Sequence, residues 1–146
     1  MDNYEKSNSI EALPNVKFSS TKTLFSYMRE KGVVTQDDLQ RVADAICNDL
    51  KVSKVNIIFG GVQNNTRVNG KLKSKTLGTY NTGSTNIRIF QFTAVKKQAV
   101  ATKTTFDTLL HELMHHFDYK ILNLQQSIHS GGFYKRIGNL KTALLS

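Results

Sequence analysis

The chain reads as an α+β domain in which a small, mostly antiparallel sheet packs on helices. Three observations predict this class. Apolar residues recur at helical spacing near residue 40 and again beyond residue 104. Between them, β-branched and aromatic residues gather in short runs broken by glycine. Asn69-Gly70, flanked by Arg67-Val68 and Lys71-Leu72, is a two-residue hairpin signal, because both central positions of a type I′ turn need positive φ. At 146 residues there is room for one core of ordinary size. We therefore divide the chain into a loosely ordered N-terminal arm, 1–18, and a single domain, 19–146.

The elements follow in order. Residues 1–18 are polar and hold the only proline, Pro14, with a short extended piece expected around Val16 and Phe18. Leu24, Phe25, Tyr27 and Met28 predict a short helix ending at Gly32, in the C′ position. Thr35 opens a second helix, with Asp38 three residues on as the partner in a capping box. Leu39, Val42, Ala43, Ile46 and Leu50 give that helix one apolar face, and Cys47 beside it reads as a small core residue. Val52, Val55, Ile57, Ile58 and Phe59 predict a strand stopping at Gly60-Gly61. Residues 71–80 follow the hairpin turn, with Lys71, Lys73 and Lys75 on one face. The last strand is Asn86–Phe92, with Ile87, Ile89 and Gln91 on one side. Phe106, Leu109, Leu110, Leu113, Met114, Phe117 and Ile121 mark a long helix. Gly131-Gly132 interrupts, and Phe133, Ile137, Leu140 and Leu144 mark a final one.

Composition narrows the function classes. No apolar run reaches the roughly 20 residues of a membrane span. The first residues carry acids and lack an apolar core, so no secretory signal is expected. The single cysteine excludes an internal disulfide framework and a Cys-based zinc ribbon. These features point to a cytoplasmic protein whose metal, if it holds one, rests on histidine and carboxylate. The net charge of +9 is uneven. Residues 1–50 hold six basic and eight acidic side chains, whereas 51–106 hold ten basic and none acidic. An acid-free block of this length suits DNA or another polyanion, and equally a solvated basic surface.

The strongest chemical signal is His111-Glu112-Leu113-Met114-His115, an H-E-x-x-H motif inside the most regular helical stretch. On a helix His111 and His115 stand one turn apart on the same side and can share one metal ion. Glu112, about 100° round the axis, is free to take a proton from a water that the metal activates. The third ligand must come from elsewhere. No glutamate follows Glu112, and Asp118 and Ile121 occupy the places where a metzincin needs glycine and a ligand. His116, Asp118 and His129 remain. His116 points away from His115 and reads as a surface or boundary histidine. Asp118 lies on the ligand face but about 10 Å along the axis from His111, which suits a supporting carboxylate better than a ligand. His129 stands in a separate loop beside Gly131-Gly132 and is favoured, Asp118 staying open as the alternative. Three histidines make Zn²⁺ the default ion. Tyr80, Tyr119, Tyr134 and Arg136 are all candidates to stabilise an oxyanion, and the sequence does not choose among them.

HELMHHFDY followed by HSGGFYKRIGNL resembles the SprT-like zinc metalloprotease family, which includes the Spartan proteases that cut DNA–protein crosslinks. In that family a third histidine follows about fourteen residues after the motif and is trailed by a phenylalanine and basic residues. Here His129, Phe133 and Lys135-Arg136 take those places, while Ser130 stands where glycine is usual. The resemblance covers residues 77–140 and includes Leu77-Gly78-Thr79-Tyr80 ahead of the last strand. It implies a zincin-like fold, Zn²⁺ on His111, His115 and His129, and Glu112 as general base. It also implies a protein substrate pairing with Asn86–Phe92 as an added strand. The expected function is thus a zinc metalloendopeptidase, with DNA-associated proteins as a candidate substrate class and DNA held by 51–103. The competing expectations are a metal-stabilised DNA-binding module with little proteolysis and a protease aimed at one regulatory partner.

Overall fold

The computed structural model describes residues 2–14, 17–62, 64–68, 71–92 and 99–146, with 62, 64–68 and 71–76 described by their backbone. The chain is α+β. Helices α1 (Asn3–Ser9), α2 (Ser19–Arg29) and α3 (Gln36–Asp49) precede strands β1 (Asn56–Val62), β2 (Asn64–Val68), β3 (Lys71–Thr76), β4 (Gly78–Tyr80) and β5 (Asn86–Phe92). Helices α4 (Thr102–Lys120) and α5 (Gly131–Leu145) close the order. No helix of the described residues is long and apolar enough to cross a membrane.

Helix α3 begins as its capping box dictates. Thr35 Oγ1 accepts from the Asp38 amide at 3.1 Å, and Asp38 Oδ2 accepts from the Thr35 amide at 3.0 Å. Lys31 Nζ, 2.8 Å from the same Oδ2, helps hold the Asp38 carboxyl below its ordinary pKa. Leu39, Val42, Ala43, Ile46 and Cys47 are buried on one face. Burial pushes the Cys47 thiol up to about 12, so it is inert packing at neutral pH. Helix α2 ends earlier than Gly32. Glu30 and Lys31 close its last turn by donating to the Tyr27 and Met28 carbonyls, and Gly32 does not take a positive φ. The turn tightens onto i−3 carbonyls, so no left-handed residue is needed.

The sheet against the helices is mixed rather than mostly antiparallel. Its order is β1-β5-β4. β1 runs parallel to β5 in the register Ile57↔Ile87, and β4 runs antiparallel to β5 in the register Tyr80↔Ile87. A parallel pair needs a long connection. Here the chain from β1 to β5 is occupied by β4 and by a separate antiparallel pair, β2–β3, with Val68↔Lys71 in register. That register suits the expected two-residue turn, whose residues Asn69 and Gly70 lie outside the described ones. The expected Lys71, Lys73 and Lys75 face likewise lies outside the described side chains. The stretch read as one strand over 71–80 breaks at Leu77, where the chain passes from one sheet to the other. β5 is central, with both edges occupied, so no substrate strand can be added to it. The outer side of β1 is met by Gln40 and Gln36 of α3, which accept from the Ile57 and Phe59 amides at 2.8 Å, so among the described residues the open edge lies on β4.

Within the arm expected to be loose, Asn3–Ser9 forms a docked helix. Asp2 Oδ1 caps α1 by accepting from the Glu5 amide at 2.8 Å, and α1 packs on α5. Phe18 is buried in the core, while Val16 lies outside the described residues. The polar sequence hid this helix because Ser7 is its only buried residue. Gly132 makes the packing possible, since a Cβ there would collide with the Ser7 carbonyl oxygen. The glycine pair therefore serves the approach of α1, not that of His129 to α4.

Helix α4 is the spine of the molecule. Phe106, Leu109, Leu110, Leu113, Met114 and Phe117 are wholly buried, and the helix packs against β4, β5, α2, α3 and α5. Phe106 meets Phe25 edge-on at 5.6 Å between ring centroids. With its apolar face fixed on both sides, the direction in which 111–115 point is fixed too.

Candidate metal centre

His111 and His115 project from the third turn of α4 onward, and His129 comes from the loop that leads into α5. His129 Nε2 lies 3.2 Å from His111 Nε2 and 3.1 Å from His115 Nε2. One ligand atom from each of the three lies within 4.8 Å of the others, so the three can hold a metal ion. Tetrahedral ligation at about 2.0–2.1 Å sets donor atoms about 3.3–3.4 Å apart, so both His129 distances come near the spacing one zinc ion would impose. Phe133 forms an apolar floor, its ring centroid 4.7, 5.1 and 5.2 Å from those of His115, His111 and His129. Burial first, and the neighbouring imidazoles second, lower the His111 pKa and bring that of His115 to about 3. These rings are accordingly neutral donors at physiological pH.

The His115 tautomer is set by a chain of hydrogen bonds. Ser127 Oγ donates to Asp118 Oδ2 at 2.7 Å, and with its one proton committed it accepts from His115 Nδ1 at 2.6 Å. Nδ1 therefore carries the proton, and Nε2 turns a lone pair toward the other imidazoles. Asp118 is fully buried, and Arg136 Nη2 stands 3.0 Å from each of its oxygens. Burial raises the Asp118 pKa, against the Ser127 hydroxyl and the Arg136 cation. Arg136, itself fully buried and always charged, keeps its partner ionised. Asp118 thus acts on the triad only through Ser127. Ser127→Ala should weaken zinc binding about 10- to 100-fold with the fold intact, measured by competition with a chromophoric chelator.

His116, expected as a surface or boundary histidine, is fully buried. Its Nε2 donates to the Ser53 carbonyl at 2.7 Å, so Nδ1 accepts from the Tyr80 hydroxyl at 2.8 Å. Both nitrogens are spent, and burial lowers its pKa. Tyr80 is thereby occupied, and the Tyr119 hydroxyl accepts from the Ser127 amide at 3.1 Å. Arg136 is sealed in the interior. Of the four candidate oxyanion donors, Tyr134 alone is half exposed beside the triad, its ring 5.9 Å from that of His129.

Glu112 is 5 % exposed, and its Oε2 has no hydrogen-bond partner among the described residues. Burial pushes its carboxyl up to about 7. It faces an open cleft of ≈ 480 Å³ that also exposes the three histidines and is walled by Leu77, Gly78, Thr104, Asp107 and Thr108. Gly78 lets β4 press against α4 here. A Cβ on it would stand 2.7 Å from Thr108 Cγ2 and 3.2 Å from Glu112 Cγ.

Sequence reasoning missed Ser127, whose place nine residues after Asp118 carries no motif, and missed the reason for Ser130. Ser130 Oγ caps α5 by accepting from the Phe133 amide at 3.1 Å and meets Ser7 Oγ at 2.8 Å. A glycine there could do neither. No protein-family model, no curated protein and no solved structure matches the chain.

Proposed function

We propose that the chain is a zinc-dependent metalloendopeptidase of zincin-like, SprT-like kind. The observation that carries this reading is that His129 Nε2 stands 3.1–3.2 Å from the Nε2 atoms of both His115 and His111, beside a buried carboxylate with one oxygen unpartnered among the described residues. The donor set fits zinc: three imidazoles, one tautomer fixed from behind, and room on the cleft side. Bound there, Zn²⁺ would supply Lewis acidity toward a carbonyl oxygen and a water.

The chain's own residues do the rest. Glu112 takes the proton of the attacking water and returns it to the leaving amine nitrogen. A carboxyl with a pKa pushed toward 7 is suited to both directions of transfer. The outer edge of β4 offers backbone groups to an extended peptide running along the cleft, in place of the β5 pairing expected from sequence. A cleft of ≈ 480 Å³, open along its length, accepts a short extended segment of such a peptide. The acid-free stretch 51–106, net +10, favours substrates associated with DNA.

Elemental analysis and an unfolded-protein cleavage assay test the reading together. One zinc per chain is expected, with cleavage lost in chelator and regained on adding zinc. Full cleavage by metal-free protein would refute it. Gly78→Ala should keep the metal and lower turnover about 10-fold or more, because strand and carboxylate must shift apart.

A further inference from the structure

The third ligand stands on a loop that holds itself poorly. Between α4 and α5, Leu124 is the only buried apolar side chain, and Asn123 has a φ of 54°. One side of the loop is tied to α4, through Ser127 and through the Leu124 amide on the Asp118 carbonyl at 3.0 Å, and the other side is tied to α1. Lys6 Nζ donates to the Leu122 carbonyl at 3.0 Å. Asn3 bonds Gln126 twice, donating from Nδ2 to its carbonyl at 2.9 Å and accepting from its amide at 3.0 Å. Ser7 Oγ meets Ser130 Oγ at 2.8 Å, and Asn8 Oδ1 accepts from the Gly132 amide at 3.1 Å. The loop is therefore gripped on both sides of His129.

The grip extends to the second ligand. Arg136 Nη1 donates to the Ser7 and Ile10 carbonyls at 2.6 and 2.8 Å, while its Nη2 holds Asp118. One guanidinium thus satisfies the end of α1 and the carboxylate behind Ser127 and His115. Helix α1 has seven residues and buries only Ser7. Such a helix has no stability of its own, so docking and helix formation stand or fall together.

We propose that α1 is a positioning element of the metal centre: docked, it holds His129 in the triad, and undocked, it releases it. Metal affinity then tracks the docking of a helix that touches no metal. The inference rests on the metal-binding reading given above.

Two variants undock α1 by different routes. Gly132→Ala drives a Cβ into the Ser7 carbonyl, and Asn3→Ala/Lys6→Ala/Asn8→Ala removes surface ties without touching the core. Amide exchange reports undocking, circular dichroism reports the fold, and chelator competition reports zinc affinity. Zinc affinity should fall about 10- to 100-fold in the triple variant, the scale of lost outer support. In a His129→Ala background the same substitutions should cost markedly less, only what reaches His115 through Arg136 and Asp118. Unchanged affinity with α1 amides exchanging freely would overturn the proposal, as would an equal loss in the His129→Ala background. If Gly132→Ala fails to fold, the triple variant decides alone. Unaltered protein that binds no zinc would overturn the metal reading itself, and this inference with it.

Discussion

Glu112→Gln should retain its zinc and lose about 10²- to 10⁴-fold in turnover, the range a positioned general base contributes. The amide is nearly isosteric, so the packing of its stem beside Gly78 persists. Among the described residues Glu112 Oε2 has no partner to lose. Substrate affinity should change little, because the carboxylate acts on the proton and not on the peptide. Zinc content and peptide binding are measured beside turnover, which separates a missing base from a damaged site. The same variant weighs the competing readings. If the unaltered protein cleaves nothing while binding zinc and DNA, the chain is a metal-stabilised binding module. If it cleaves and the variant does not, the hydrolytic reading stands.

Parts of this architecture are legible in the residues because their causes are local. Helices α3 and α4 each carry an apolar face strong enough to identify them, and Thr35 with Asp38 fixes where α3 begins. The His111 and His115 pair follows from helical periodicity alone. His129 is legible for another reason: a chain with four histidines offers few choices. What stayed hidden is non-local. Helix α1 has no apolar periodicity, and its partners lie more than a hundred residues away, at Gln126, Ser130 and Arg136. The parallel pairing of β1 with β5 leaves no mark in either strand. His116 cannot be told from a surface histidine until Ser53 and Tyr80 are seen to satisfy both its nitrogens. Ser127 gains its role only from Asp118 and His115 closing on it.

His129→Ala should be the most damaging change to metal binding. It removes one of three donors, and His111 and His115 then hold the ion with two bonds and solvent. The loss should exceed the 10- to 100-fold expected when only the support behind a ligand is removed. Stability without metal should change little, since His129 is an exposed residue that buries no core surface. The two effects separate cleanly: unfolding of the metal-free variant should match that of the metal-free parent, while added zinc raises the midpoint of the parent only. His129→Ala also bears on Asp118, the rival third ligand. Arg136 and Ser127 already occupy both of its oxygens. Swinging it onto the ion would strand a buried guanidinium at a cost of several kcal/mol. Zinc retained at full affinity in His129→Ala would mean that this cost is met, and that the triad is not the binding set.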